Sequence, residues 1–143
     1  MVIISTNYSI CYTKDIDKPY YHKAYAATNA NTNGTKSFNV MISKGSANPQ
    51  VDITKLGPRQ WYLPRQITIS VNDQVTWTNN DTEAHTVTSG IGAGIESLMN
   101  NKRGTRNGLF DSGSFRLGQS WTHTFARPGT FTYFCTIHPG WMA

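Results

Sequence analysis

Short runs in which apolar and polar residues alternate dominate the second half of the sequence. They are ITISV (67–71), QVTWT (74–78) and SWTHTF (120–125). In the last run, Trp121, His123 and Phe125 fall on one face, because successive side chains of a strand point to opposite sides. A period of two with many β-branched and aromatic residues predicts half-buried β-strands.

Three further segments fit the same interpretation. They are SFNVMIS (37–43), HTVTS (85–89) and TFTYFC (130–135). Asn72-Asp73 predicts a hairpin-type turn between the strands at 67–71 and 74–78, and Arg127-Pro128-Gly129 predicts another turn. Many short strands separated by turns indicate an all-β protein built as an antiparallel sandwich or barrel.

Two stretches lack this pattern. Residues 14–36 are polar and rich in Asn and Thr, and they predict an N-terminal extension. Residues 90–114 contain six glycines and predict a long loop. A length of 143 residues suits one domain, with 1–36 as the extension and 37–143 as the sandwich.

Charge narrows the function classes only slightly. The formal net charge is +5, but the basic residues are scattered except at Lys102, Arg103 and Arg106. Such a small cluster is typical of a solvated loop, so we predict no nucleic-acid partner. No apolar run is long enough to span a bilayer.

The strongest chemical signal lies at the end of the sequence, in FCTIHPGWMA (134–143). Cys135, His138 and Met142 bring together a thiolate, an imidazole and a thioether, a soft donor set that suits copper better than zinc. A second imidazole would complete a His₂Cys plane with a weak axial sulfur. His85 follows a polar turn and is the natural candidate.

The other candidate residues have simpler interpretations. His123 shares a face with aromatic residues and is predicted to pack, whereas His22 is predicted to lie on the surface. Glu83 is predicted to be a solvated turn residue. Cys11 is predicted to be a free or buried thiol. Trp61, Trp77 and Trp121 are predicted to belong to the core.

Two long runs carry a resemblance to a known family. They are YLPRQITISVNDQVTWTNNDTEAHTVTSG (62–90) and FDSGSFRLGQSWTHTFARPGTFTYFCTIHPGWM (110–142). The motifs in these runs occur in the same order as in the cupredoxins, the plastocyanin- and azurin-like copper proteins, which the sequence therefore resembles. The motif CTIHP is most similar to short cupredoxins of ammonia-oxidising archaea. The resemblance implies a Greek-key β-sandwich with one mononuclear copper ion that cycles between Cu(I) and Cu(II).

The resemblance also implies roles for particular residues. His85, Cys135 and His138 match the equatorial copper ligands, and Met142 matches the axial one. Thr86 and Thr136, which follow two of the ligands, are candidates for hydrogen bonds that tune the site. Trp141 lies inside the ligand loop and would either shield the copper or border an open face.

Two features depart from the family pattern. The tail reads H-x₃-M, whereas plastocyanin-like members have H-x₄-M and amicyanin-like members have H-x₂-M, so axial binding by Met142 stays open. Members also continue into one more strand after this methionine. We expect N-terminal residues such as VIIS (2–5) to fill that strand position, since an empty one would leave an unpaired sheet edge.

The function implied is a one-electron carrier between redox partners, and the positive charge favours an anionic protein partner. A first alternative is a small redox enzyme whose open copper meets nitric oxide or nitrite. A second alternative is copper storage or delivery. The resemblance places the protein in an extracytoplasmic space.

Overall fold

The computed structural model describes residues 1–5, 29–30, 34–48, 61–92, 104–139 and 141–142, and every element in these ranges is a β-strand. The strands are β1 (Val2–Ser5), β2 (Asn29–Ala30), β3 (Lys36–Ile42), β4 (Tyr62–Leu63), β5 (Ile67–Ser70), β6 (Gln74–Asn79), β7 (Thr88–Ile91), β8 (Thr105–Asp111), β9 (Ser120–Thr124), β10 (Gly129–Phe131) and β11 (Tyr133–Phe134).

The largest sheet contains five strands, in the order β2-β3-β6-β9 with β4 paired to β3. β3 and β6 run parallel, and β6 and β9 run antiparallel. Their side chains alternate between buried and more exposed positions, as half-buried strands require. The strands predicted at 37–43, 74–78 and 120–125 are therefore confirmed.

Two three-stranded sheets complete the sandwich, in the orders β10-β1-β5 and β11-β7-β8. They meet at Thr132, which separates β10 from β11. The backbone N–H of Gly90 donates to the carbonyl of Thr132 at 3.1 Å, and the Thr132 hydroxyl donates back to the carbonyl of Gly90 at 2.8 Å. The single strand predicted at 130–135 is thus two strands that belong to different sheets. The division falls at Thr132, whose hydrogen bonds go to Gly90 of β7.

The first residues of the sequence lie inside a sheet. β1 pairs antiparallel with β10 and parallel with β5, so that Val2 lies opposite both Phe131 and Ile67. Val2 is fully buried. The expectation that VIIS (2–5) covers a sheet edge is confirmed.

The predicted hairpin between β5 and β6 is wrong. The turn exists, and Asn72 adopts a positive φ of 71° within it, but the two strands belong to different sheets. Asp73 explains the change of direction, since its carboxylate accepts the N–H of Ser70 at 2.8 Å and the N–H of Lys36 at 2.9 Å. These bonds join the turn to the start of β3.

Two boundaries around the copper-ligand candidates also differ from the prediction. The strand expected at 85–89 begins only at Thr88, because the N–H groups of Thr86 and Val87 donate to side chains instead of to a neighbouring strand. The loop expected at 90–114 contains β8. This strand escaped prediction because six of its seven residues are exposed, which leaves no apolar alternation to detect.

The core lies between the five-stranded sheet and the two smaller sheets. Trp77 of β6 is fully buried at its centre and packs against four aromatic rings, those of Phe110, Trp121, Phe125 and Tyr133. The predicted all-β sandwich is confirmed, as is the core position of Trp77, with Trp61 and Trp121 packed against it. No helix that could cross a bilayer occurs in the ranges that the structure describes.

Candidate metal centre

Three side chains that ligate metals meet at one end of the sandwich. Cys135 follows β11 directly, His138 lies in the turn after it, and His85 forms an isolated bridge with Phe115 just before β7. Their ligand atoms all lie within 4.8 Å of one another. Sγ of Cys135 lies 3.7 Å from Nδ1 of His85 and 3.6 Å from Nδ1 of His138. The sequence-predicted residues are therefore brought together across fifty positions of the chain.

The thiol of Cys135 is fully buried and surrounded by donors. The N–H of Thr86 donates to Sγ at 3.4 Å. Burial alone would raise the pKa of Cys135, but hydrogen bonds from His85 and from backbone N–H groups outweigh it and lower the pKa. Because the thiolate is the form that binds metals, this environment prepares the sulfur as a ligand.

The two histidines differ in their surroundings. Burial would lower the pKa of His85, but its hydrogen bonds to Cys135 and Asp81 outweigh burial and raise the pKa. The pKa of His138 is lowered by burial and by the nearby His85. His138 is half-buried, so one side of the centre reaches the protein surface.

The sequence prediction missed Asp81. Its carboxylate oxygen Oδ2 lies 2.9 Å from Nε2 of His85, and both side chains are buried. The same carboxylate accepts N–H groups of Gly45, Ala47 and Thr82 at 2.8 to 2.9 Å. Burial would raise the pKa of Asp81, but these hydrogen bonds outweigh it and lower the pKa. A carboxylate on the second ring nitrogen fixes the histidine tautomer and leaves Nδ1 to face the metal.

Polar side chains next to the ligands form a hydroxyl network. The Oγ1 atom of Thr86 accepts the N–H of Thr136 at 2.8 Å and lies 3.1 Å from the Thr136 hydroxyl. It also lies 3.0 Å from Oγ1 of Thr88, which donates to Asp111 at 3.0 Å. The carbonyl of Thr86 accepts the hydroxyl of Tyr62 at 2.7 Å. Thr86 and Thr136, the predicted partners, join the segment of His85 to that of Cys135.

Met142 and Trp141 close the ligand loop. The carbonyl of Met142 accepts the N–H of Cys135 at 3.0 Å, its N–H donates to the carbonyl of His138 at 3.2 Å, and its side chain is fully buried. The ring centroids of Trp141 and His138 lie 5.3 Å apart. The indole N–H of Trp141 donates to the carbonyl of Ser46 at 3.0 Å. Both residues therefore lie against the cluster of Cys135 and His138.

The remaining candidates lie away from this cluster. His123 packs between the rings of Phe110, Trp121 and Phe125, as predicted, and Glu83 is exposed. Cys11 and His22 lie outside the described residues.

The donor set fits copper on chemical grounds. One thiolate and two imidazoles in a buried pocket, with a thioether in the same loop, form the soft set of a mononuclear type 1 site. A structural zinc site commonly has a closed set of four cysteines and histidines. In the described ranges, the corresponding group has only three members, His85, Cys135 and His138.

The sequence model for copper-binding proteins of the plastocyanin/azurin family matches residues 50–143. The chain belongs to this family. Its cofactor is one mononuclear copper ion, as the family and the donor set both require. The resemblance drawn from the sequence motifs is thereby confirmed.

Two relatives place this cupredoxin among known proteins. Amicyanin-alpha from Methylorubrum extorquens is 28% identical over 85 residues, which cover 59% of this chain and 61% of the relative. The chain thus matches less than two thirds of that relative. A solved structure described as a novel purple cupredoxin from Nitrosopumilus maritimus is 29% identical, with a TM-score of 0.52, and the match covers 71% of this chain and 88% of the other.

Proposed function

We propose that His85, Cys135 and His138 would hold copper through Nδ1, Sγ and Nδ1, with Met142 as the candidate fourth donor, and that the protein carries single electrons between redox partners. The observation that carries the proposal is the cluster of three ligand atoms within 4.8 Å of one another, with His85 and Cys135 buried and His138 half-buried. When bound, copper would supply the one-electron couple that such a carrier needs.

The protein's own residues keep the site suited to this role. The N–H of Thr86 and the carboxylate of Asp81 hold Cys135 and His85 from outside the cluster. Rigid ligands change little between oxidation states, so the cost of rearrangement on electron transfer is small. His138 is half-buried beside Ile137, which is 46% exposed, and we infer that its outer edge is where electrons enter and leave.

We further propose an extracytoplasmic location and a protein partner with an anionic docking surface. Both proposals rest on the family and on the net charge of +5. Opposite charge raises association rates by steering, and this effect weakens with salt. The rate of electron exchange with an acidic partner should therefore fall as ionic strength rises.

The visible spectrum tests the site. A copper-loaded protein should show an intense thiolate-to-copper band, and Cys135→Ser should abolish it while Cys11→Ser leaves it intact. A band that survives Cys135→Ser would overturn the proposed ligand set. The Cys11 variant controls for the second thiol of the sequence.

A second candidate function is an open-site oxidoreductase acting on nitric oxide or nitrite. The H-x₃-M spacing of His138 and Met142 and the purple colour of the Nitrosopumilus maritimus relative favour it. Titration with azide and nitrite separates the two candidates. An unchanged spectrum supports the electron carrier, whereas a shifted band together with turnover of nitrite or nitric oxide supports the enzyme.

A further inference from the structure

The indole of Trp141 and the imidazole of His85 are joined by a continuous line of hydrogen bonds. Trp141 donates its N–H to the carbonyl of Ser46 at 3.0 Å. That carbonyl and the N–H of Ala47 belong to one peptide group, and the Ala47 N–H donates to Oδ2 of Asp81 at 2.9 Å. The same Oδ2 atom lies 2.9 Å from Nε2 of His85.

Three residues of this line are buried, and Ala47 and Trp141 are partly buried. Ser46, Asp81 and His85 are 3%, 1% and 0% exposed. The Ala47 N–H and Nε2 of His85 meet at one oxygen, so the coupling is positional: the indole bond holds the Ser46–Ala47 peptide, and through it Oδ2, in place against Nε2. A change at the indole N–H is therefore transmitted to the carboxylate that holds His85.

The turn that carries the Ser46–Ala47 peptide is itself firmly held. The N–H of Gly45 donates to Oδ1 of Asp81 at 2.8 Å, and Gly45 adopts a positive φ of 84° that glycine accommodates without strain. The hydroxyl of Ser46 donates back to the carbonyl of Ser43 at 2.6 Å. A rigid turn leaves the peptide no freedom to absorb a displacement of Trp141 or Asp81.

We propose that Trp141 is a positioning residue for His85. It acts through the Ser46–Ala47 peptide and Asp81, so that the loop carrying His138 and the segment carrying His85 hold the metal as one unit. This inference rests on the proposed ligand roles of His85 and His138. The competing explanation is that Trp141 only packs against His138, whose ring lies 5.3 Å away.

The first measurement follows the His85 Nε2–H proton by NMR in the metal-free and Cu(I) proteins. Trp141→Phe removes the indole N–H and keeps an aromatic ring against His138. The Nε2–H resonance of His85 should move upfield, because a displaced Ser46–Ala47 peptide weakens the hold of Asp81 on Nε2, although the indole itself donates to the Ser46 carbonyl. An unmoved resonance would show that Trp141 acts by packing alone. Trp121→Phe, which removes an indole elsewhere in the core, is the matched control and should leave the resonance in place.

The second measurement compares copper release to a chelator from the parent protein, Trp141→Phe, Asp81→Asn and the double variant. Loss of one neutral hydrogen bond should speed release about 2- to 10-fold. Loss of the carboxylate on His85 should speed it about 10- to 100-fold. In the double variant the two factors should combine to less than their product, since both interrupt one line. Factors that multiply would overturn the proposal.

Two safeguards keep these results interpretable. If Trp141→Phe disturbs folding, benzothienylalanine at position 141 removes the N–H while keeping the size and shape of the indole. If the parent protein binds no copper, the proposed function fails, while the metal-free NMR measurement still tests the hydrogen-bonded line by itself.

Discussion

The hydroxyl of Thr88 donates to Oδ1 of Asp111 across 3.0 Å, from a side chain that is only 1% exposed. Because an ionised carboxylate only accepts, this bond sets the direction of the whole network. The oxygen of Thr88 then accepts the hydroxyl of Thr86, whose own oxygen accepts the N–H of Thr136. A carboxylate at the surface thus orients hydroxyl groups beside Cys135.

Replacing Thr88 with valine tests this directionality. Thr88→Val keeps the shape of the side chain but leaves the Thr86 hydroxyl without its acceptor. Unfolding in urea should show a loss of about 1–3 kcal/mol, the cost of an unsatisfied buried polar group. Thr88→Ser retains the hydroxyl and should recover most of that loss. A Thr88→Val variant as stable as the parent, with the loss confined to Thr88→Ser, would assign the stability to packing of the methyl group instead.

Gly90 occupies a position that no other residue should tolerate. Its φ is +142°, and a Cβ atom there would lie 2.1 Å from the carbonyl oxygen of Thr105, across the bulge between β7 and β8. We expect Gly90→Ala to lower the free energy of unfolding by about 2–4 kcal/mol, because backbone strain adds to the steric clash.

Gly118 provides the matched control for this substitution. It also has a positive φ, of 77°, but open space where its Cβ would lie. Gly118→Ala should cost only the conformational term, about 1–2 kcal/mol. The two thermal or urea unfolding curves should therefore be clearly separated, and superimposed curves would rule out a role for the close approach to Thr105.

His123 should make stability depend on pH. Burial among aromatic rings lowers the pKa of His123 below its usual value of 6.5. The unfolded state then binds more protons than the folded state just below pH 6.5, so stability falls as the pH drops through this window and is unaffected above it. We expect His123→Phe to lose less stability than the parent protein when the pH falls from about 7 to about 5.

The comparison of these two proteins isolates one residue, because both keep the same other histidines. Chemical denaturation at several pH values provides the measurement, with copper absent from both samples. His123→Gln, which is polar but does not titrate, should resemble the phenylalanine variant in its pH dependence. A variant that follows the parent curve would assign the effect to another group.

The alternating strands and the candidate ligands were predictable because each has a local signature. β3 and β6 bury alternate residues, β9 alternates partly buried with exposed residues, and Cys135, His138 and Met142 lie within eight positions. The polar turn before His85 was enough to predict this residue as the second imidazole. The sequence therefore predicted the strands with one buried face and the donors of the metal centre.

Other features have no local signature. The connection from β5 to β6 looks like a hairpin, and only the carboxylate of Asp73, bonded to the distant N–H of Lys36, sends the two strands into different sheets. β8 has exposed side chains throughout most of its length. Asp81 was missed because its bonds to Gly45 and Ala47 depend on tertiary contacts. Its position four residues before His85 was the available clue.

The place of β1 has a consequence for how the molecule folds. Val2 pairs with Phe131, a partner at nearly the opposite end of the sequence, and β10 leads within four residues to Cys135. Contacts of such long range form slowly, because the chain must first give up the entropy of a large loop. Pairing of β1 with β10, which leads to Cys135, is therefore expected late in folding, and the apoprotein should become competent for copper only after this pairing has formed.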